Sequence, residues 1–294
     1  MSIRKSRGGR RHEQTELEDR MGLSMRITAR HRAALVIALA VATLLVAMLR
    51  SSKIAAAGPV ATPSMAKRSV MVELFTSEGC SSCPPADELL GQLRQERNAN
   101  GVEVIPLGFH VDYWDSAGWH DRFDSNAFSR RQEDYARRLH LDGPYTPQMV
   151  IDGETEFVGS LAGRAHQAIA EAEAQATDAT VTVSPEKNGD LLLQVSSSQS
   201  GDVMLAITED NLMTKVGGGE NGGRTLHHMA VVRELRRIGQ VRDGKFSSAV
   251  PLTVAKDWKR QDLRAVVFIQ NPDNGRILGA SSIKLGSLSR TNGS

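Results

Sequence analysis

The sequence predicts an α/β domain, in which helices flank a mixed sheet, followed by an all-β sandwich-like domain. Two observations support this division: strand-like and helix-like segments alternate over residues 69–176, whereas residues 177–288 hold only short strand-like segments separated by turns. A third observation, an apolar run over residues 33–49, predicts an N-terminal export or anchor helix ahead of both domains. A chain of 294 residues is long enough for two such domains.

The apolar run lies in a basic leader, residues 1–57. The leader holds eleven Lys and Arg against four Asp and Glu, whereas the rest of the chain holds 25 against 30. Because the positive excess belongs to the leader, the charge pattern gives no argument for a nucleic-acid-binding face. Basic residues before the run predict that the N-terminus stays inside and that the rest of the chain lies outside the cytoplasm, either periplasmic or secreted.

Two interpretations of the leader remain open. It is a cleaved signal peptide, with Ala55–Ala57 as the small residues before the cleavage site, or an uncleaved single span that anchors the chain in the inner membrane. A linker over residues 58–68 follows in either case, and residues 289–294 are predicted to be a tail.

The first domain is predicted to run strand, helix, strand, helix, strand, strand, helix. The β-branched run Val70–Phe75 predicts a buried strand, and the acidic residues that follow Pro84 and Pro85 predict a helix start. The further predictions are a strand over 102–111, a loop over 112–124, a helix over 126–139, strands over 148–151 and 155–158, and a helix over 161–175.

The second domain is predicted from seven strand-like runs that begin near Ala179. Turn sequences such as Asn188-Gly189 and Asp273-Asn274-Gly275 separate these runs. Seven short strands joined by turns are typical of a β-sandwich. The pair His227-His228 falls within one of the runs, where neighbouring side chains point to opposite faces, so both are predicted to be ordinary strand residues.

Cys80 and Cys83 are the only cysteines, and they stand three positions apart at the predicted start of the first helix. A single pair of cysteines argues against a fold that is held together by several disulfides, and it is too few for a four-cysteine zinc site. Backbone N–H groups at a helix start lower the pKa of a cysteine and so favour the reactive thiolate. Two alternatives remain open, a permanent disulfide and a thiolate site for Cu(I) with Met149 nearby.

Residues 68–176 resemble the thioredoxin superfamily. The resemblance rests on an apolar strand that leads into Cys80-Ser81-Ser82-Cys83 at a helix start, on Thr146-Pro147 directly before a strand, and on the closing hairpin and helix. It implies a cis Thr146–Pro147 bond beside the sulfurs, with Thr146 presenting its backbone to a substrate strand. It also implies that Cys80 is the exposed, attacking sulfur and that Cys83 resolves the mixed disulfide.

Three stretches are more narrowly similar to a family of secreted bacterial proteins of unassigned function. They are Val72–Asp87 around the cysteines, His110-Val111-Asp112-Tyr113-Trp114-Asp115, and Pro147–Gly153. This similarity implies a fold and a compartment but no substrate.

Two further groups of residues are candidates for the site. Glu73, in the strand before the cysteines, is a candidate proton shuttle for the resolving cysteine, or else a solvent-facing strand residue. Asp112, Trp114 and Asp115 are candidates for a substrate groove, and the alternative is an ordered surface loop whose aromatic residues cap the core.

The function expected from these observations is thiol–disulfide exchange on protein thiols and disulfides outside the cytoplasm, with no cofactor beyond the redox-active cysteine pair. Two alternatives stay open. One is a non-enzymatic secreted binding protein in which the cysteine pair is structural or vestigial, and the other is copper handling by Cys80 and Cys83. The sequence does not indicate the substrate or the direction of exchange.

Overall fold

The computed structural model describes residues 69–95 and 102–286. The predicted apolar segment 33–49, the rest of the leader, the linker and the tail lie outside these residues. Within the two described ranges, no helix is long and apolar enough to cross a membrane.

The described residues up to 176 form the predicted order of strands and helices, with one added 3-10 helix of six residues. The elements are β1 (Ser69–Thr76), α1 (Pro84–Gln95), β2 (Glu103–His110), a 3-10 helix (Asp112–Ala117), α2 (Asn126–Arg138), β3 (Gln148–Ile151), β4 (Thr155–Val158) and α3 (Ala162–Glu173). The proline at the start of α1 suits that position, because the first turn of a helix leaves its N–H groups without helical partners.

The regular elements of the described residues after 176 are strands, as predicted, apart from one short 3-10 helix (Arg260–Asp262), but there are nine strands where seven were predicted. The strands are β5 (Ala179–Pro185), β6 (Leu191–Ser197), β7 (Asp202–Glu209), β8 (Leu212–Lys215), β9 (Thr225–His228), β10 (Val231–Gln240), β11 (Lys245–Val250), β12 (Leu263–Gln270) and β13 (Ile277–Lys284).

The prediction of a separate all-β domain over 177–288 is wrong. Eight strands from both halves form one mixed sheet in the order β13-β12-β7-β10-β2-β1-β3-β4. The halves join where β10 runs parallel to β2, with Val231 opposite Gly108, and the Gly108 N–H donates to the Ala230 carbonyl at 2.8 Å. The physical reason is that β2, buried along almost its whole length, would otherwise leave an apolar sheet edge with unpaired backbone groups.

A sandwich does form in the second half, but one of its layers belongs to the shared sheet. The smaller layer is a sheet of order β11-β6-β5, and its apolar residues, such as Leu191 and Leu193, share a core with Leu205 and Val267 of the larger sheet.

Strand β1 divides the packing around the cysteines. Val72 and Leu74 belong to the apolar cluster that includes residues of α1 and α3, whereas Phe75 packs on the opposite side with Tyr135 of α2 and Phe268 of β12. This second core is therefore built from both halves of the chain. The carboxyl end of β1 leads directly into the cysteine loop, so the sheet fixes the position of the loop.

Candidate functional site

Cys80 and Cys83 form a disulfide at the N-terminus of α1. The Cys83 carbonyl accepts the N–H groups of Ala86 and Asp87, at 2.8 and 3.1 Å, and so begins the helix. Both cysteines are completely buried, so the prediction that Cys80 is the more exposed sulfur is wrong. Other segments of the chain cover the loop, as described below.

The Thr146–Pro147 bond is cis, as predicted. The loop before β3 lies close to the first turn of α1, and Gly159 lies between them. A Cβ atom added to Gly159 would lie 3.3 Å from Pro147 Cβ in the loop and 3.3 Å from Ala86 Cβ in the helix. Pro147 is therefore next to the helix turn that Cys83 begins.

Trp114 connects the cysteine loop with the proline loop. Its Nε1–H donates to Thr146 Oγ1 at 2.8 Å, and a Cβ atom added to Gly79 would lie 3.2 Å from Trp114 Cβ. Trp114 thus lies against Gly79, which precedes Cys80, through its Cβ, and it bonds to Thr146, which precedes Pro147, through its indole. Of the three candidate groove residues, Trp114 is the one that the structure places beside the disulfide loop.

Asp112 and Asp115 have other partners. Asp112 Oδ1 accepts the Ser129 hydroxyl of α2, which fixes the 3-10 helix to α2. Asp115 Oδ2 lies 2.5 Å from His120 Nδ1. Together with Asp124 these two residues bring potential metal ligands within 4.8 Å of one another, although their mutual hydrogen bonding explains the cluster without an ion.

Glu73 is buried on the face of β1 opposite Val72 and Leu74, and therefore opposite α1. Arg131 donates to both of its carboxylate oxygens, at 2.5 and 2.9 Å, and the Tyr135 hydroxyl donates to Oε1 at 2.6 Å. These partners make Glu73 the centre of a buried ion pair between β1 and α2. The structure therefore does not place it with the cysteines, since neighbouring strand residues point to opposite faces.

Five ionisable side chains, which no local sequence pattern links, lie buried beside the cysteine loop: Glu78, Asp87, His110, Asp121 and His228. His110 Nδ1 lies 2.6 Å from Asp121 Oδ2, and His228 Nε2 lies 3.2 Å from Glu78 Oε1. The two imidazole rings meet edge to face with their centroids 4.9 Å apart. Asp121 Oδ2 also accepts the Glu78 N–H at 2.8 Å, which links the cluster to the cysteine loop. We call these five residues the buried ionic cluster.

The His110–Asp121 pair is ionised at neutral pH. Burial lowers the pKa of His110, but the charge of Asp121 and the hydrogen bond to it outweigh burial and raise this pKa to about 8. Burial raises the pKa of Asp121, but His110 and the N–H groups of Glu78 and Phe123 bring it down to about 2. A protonated His110 and an ionised Asp121 are thus held next to each other inside the protein.

Asp87 behaves in the opposite way. Burial raises the pKa of its carboxyl, and the charges of His228 and His110 and a hydrogen bond from Thr76 only partly oppose this. The Thr76 hydroxyl donates to Asp87 Oδ2 at 3.2 Å. Cys83 directly precedes α1, and the Asp87 N–H, four residues on, donates to its carbonyl as in a helix; residues with this spacing share one face of a helix. A buried carboxyl with a raised pKa thus lies on the helix face of the second cysteine.

The sequence held partial signals for this cluster. The sequence shows the four-residue spacing from Cys83 to Asp87. From the sequence alone, however, Asp87 is an ordinary acidic residue in the first turn of a helix. The expectation that His227 and His228 point to opposite faces is confirmed, since His227 is exposed and His228 is buried. Nothing in the sequence indicated that His228 meets Glu78.

A loop from the second half of the chain completes the site. Asn221 Nδ2 donates to the carbonyls of Glu78 and Cys80, both at 2.9 Å, and Glu220 Oε2 accepts the Ser81 N–H at 3.1 Å. These contacts bridge up to 143 positions of sequence, so no local pattern predicts them.

The site is thus a disulfide at a helix start within a mixed α/β fold. The chain matches the family model described as "Protein of unknown function (DUF1223)" over residues 71–270, and it belongs to that family. None of the curated proteins matches the chain.

Two solved structures are similar to this one. The first is the crystal structure of protein AGR_C_4864 from Agrobacterium tumefaciens, with 27% sequence identity and a TM-score of 0.63, covering 76% of this chain and 96% of that chain. The second is HBP35 of Porphyromonas gingivalis, with 14% identity and a TM-score of 0.55, covering 77% of this chain and 78% of that chain. At that identity the second shows a similar fold alone.

Proposed function

We propose that this protein exchanges disulfides with other proteins outside the cytoplasm, through the Cys80–Cys83 pair. The observation that carries the proposal is the position of the pair, at the start of α1 with the cis Thr146–Pro147 loop against the same helix turn. The order β2-β1-β3-β4 at one end of the sheet also resembles the strand arrangement of thioredoxin-like domains. The basic, apolar leader supports an oxidising compartment, where such a pair can cycle.

The proposed oxidation of a substrate dithiol proceeds in two displacements. A substrate thiolate attacks Cys80 Sγ, the Cys80–Cys83 bond breaks, and Cys83 leaves as a thiolate. The second substrate thiolate then attacks the substrate sulfur of the mixed disulfide and releases Cys80. Two electrons pass from the substrate to the cysteine pair, and the reverse sequence reduces a substrate disulfide.

Asp87 is suited to manage the proton of Cys83 in this scheme. Its carboxyl lies on the helix face of Cys83, and burial raises its pKa, so it is suited to give a proton to the leaving thiolate. In the reverse direction the carboxylate takes the proton back. Pro84 and Pro85 supply no N–H groups, so they cannot stabilise a thiolate at this helix start.

The test is a trapping experiment in cells that export the protein. In a Cys83→Ser variant, the free Cys80 thiolate attacks a substrate disulfide, and no Cys83 thiolate remains to break the bond that forms, so mixed disulfides should accumulate as higher-mass adducts that a reducing agent removes. The Cys80→Ser variant is the matched control and should accumulate none. Absence of adducts from Cys83→Ser, together with absence of oxidase or reductase activity in the unmodified protein, would contradict the proposal.

A second candidate function is supported by the complete burial of both sulfurs. In this alternative the protein is a binding protein and the disulfide is structural. It predicts that replacing both cysteines with serine lowers the free energy of unfolding and leaves no adduct in any variant. The trapping experiment therefore distinguishes the two candidates.

A further inference from the structure

The connection between β8 and β9 covers the cysteine loop from the other half of the chain. Five glycines flank Glu220 and Asn221 in this connection: Gly217, Gly218, Gly219, Gly222 and Gly223. A Cβ atom on Gly218 would lie 2.6 Å from the Gly118 carbonyl oxygen, and one on Gly217 would lie 3.0 Å from the Trp119 ring. Because glycine has no side chain, this segment can pack directly against residues 118–119.

Asn221 makes the central contacts. It is completely buried, and both of its amide donations go to carbonyls of the cysteine loop, those of Glu78 and Cys80. Its Oδ1 accepts Arg224 Nη1 at 2.7 Å, which fixes the orientation of the carboxamide. One buried side chain therefore anchors the residues on both sides of Gly79.

Glu220 makes the outer contact. Its side chain is exposed, and its carboxylate accepts the Ser81 N–H, the amide that directly follows Cys80. Asn221 and Glu220 together therefore engage both polar groups of the peptide unit that joins Cys80 to Ser81. Ser81 and Ser82 remain exposed while both sulfurs are buried, so access to the sulfur requires a small movement of this loop.

We propose that residues 217–223 form a lid on the redox pair and that Asn221 is the positioning residue that holds the lid and the Cys80 segment together. A thiol then reaches Cys80 Sγ only after the Asn221 amide releases the two carbonyls. The inference rests on the proposed function, because a lid has a role only if the pair is attacked. The lid belongs to the second half of the chain, which gives that half a direct part in the redox site.

The experiment measures how fast dithiothreitol reduces the Cys80–Cys83 disulfide in the full chain. A dithiothreitol thiolate attacks Cys80 Sγ and Cys83 leaves; the second dithiothreitol thiol closes the oxidised ring and releases Cys80. Asn221→Ala removes both donations to the cysteine loop, and we expect the reduction rate to rise roughly tenfold, which corresponds to about 1.4 kcal/mol of lost hydrogen bonding. Asn188→Ala is the matched control, because Asn188 is exposed and bonds only within its own turn; its rate should equal that of the unmodified protein.

The urea dependence of the rate separates a lid from a general loss of stability. Opening the lid exposes little surface, so the Asn221→Ala rate should rise only weakly with urea, whereas reduction through global unfolding follows the full unfolding slope. A rate equal to that of Asn188→Ala, or an acceleration with the full unfolding slope, would overturn the inference. The assay needs no protein substrate, so its outcome is independent of the trapping experiment that tests the proposed function.

Discussion

His110 Nδ1 lies 2.6 Å from Asp121 Oδ2, and both side chains are 1% exposed. The pair joins the end of β2 to a loop whose Asp121 also accepts the Glu78 N–H from the cysteine loop. A buried pair of this kind is costly to separate, because either partner alone would be an uncompensated charge. The cysteine loop is therefore supported by a charge pair whose protonation depends on pH.

The first prediction concerns this pH dependence. The pKa of His110 is raised from 6.5 to about 8, so its contribution to stability is complete below pH 6.5 and is lost as the pH rises through 8. We expect about 2 kcal/mol of the free energy of unfolding to disappear over this interval. Asp121 has a pKa lowered from 3.8 to about 2. Its contribution to the free energy of unfolding is therefore complete above pH 3.8 and is lost as the pH falls through 2.

Urea unfolding at a series of pH values checks this prediction. The His110→Gln variant should lose the decline between pH 6.5 and 8, whereas His227→Gln, which changes an exposed histidine, should keep it. The same slope in His110→Gln as in the unmodified protein would show that another group causes the decline.

The second prediction concerns Asp87. Asparagine resembles the protonated carboxyl that burial favours, so Asp87→Asn should fold with unchanged or higher stability. It cannot exchange a proton with Cys83, and we expect reduction of the disulfide near neutral pH to slow at least tenfold. The measurement is the rate of reduction by dithiothreitol as a function of pH.

The control for Asp87 is Glu88→Gln, the exposed neighbour on the same helix. It replaces the exposed carboxyl next to Asp87 in the chain without touching the buried ionic cluster. Equal effects of the two substitutions would assign the change to overall charge and contradict the specific role of Asp87.

The third prediction separates Glu73 from the redox chemistry. Glu73→Gln leaves the buried Arg131 guanidinium without its charged partner, and we expect a loss of about 3–5 kcal/mol in the free energy of unfolding. The rate of disulfide reduction at low denaturant should stay unchanged, because Glu73 lies on the other face of β1. A slower reduction rate with intact stability would restore Glu73 as the proton shuttle.

The fourth prediction concerns the shared sheet. Phe268 of β12 packs in the core that also contains Phe75 and Tyr135. Phe268→Ala should therefore lower the free energy of unfolding by about 3–5 kcal/mol, and both halves of the chain should lose stability together. Trp114 and Trp119 report on the first half, and Trp258 reports on the second. In variants that keep only one of these two sets of tryptophans, Phe268→Ala should lower the unfolding midpoint by the same amount, and a shift seen only in the Trp258 signal would indicate two independent domains.

The local patterns predicted the elements around the cysteines well. The apolar run of β1, the prolines at the start of α1 and the Thr146-Pro147 pair before β3 each depend on neighbouring residues, and the structure contains all three features. Glu73 shows the limit of such patterns. Its position before the cysteines suggested a role in their chemistry, but the alternation of a strand directs its side chain to Arg131 instead.

Short-range periodicity and turn residues control the order of the elements, the place of the cysteine pair at a helix start and the all-strand character of the second half, so these features could be predicted from the sequence. Three contacts could not: β10 joins β2, His228 meets Glu78, and Asn221 holds the Cys80 carbonyl. These contacts join residues more than a hundred positions apart. They arise from the requirement to cover a sheet edge and to pair buried polar groups, which acts on the whole fold rather than on any segment.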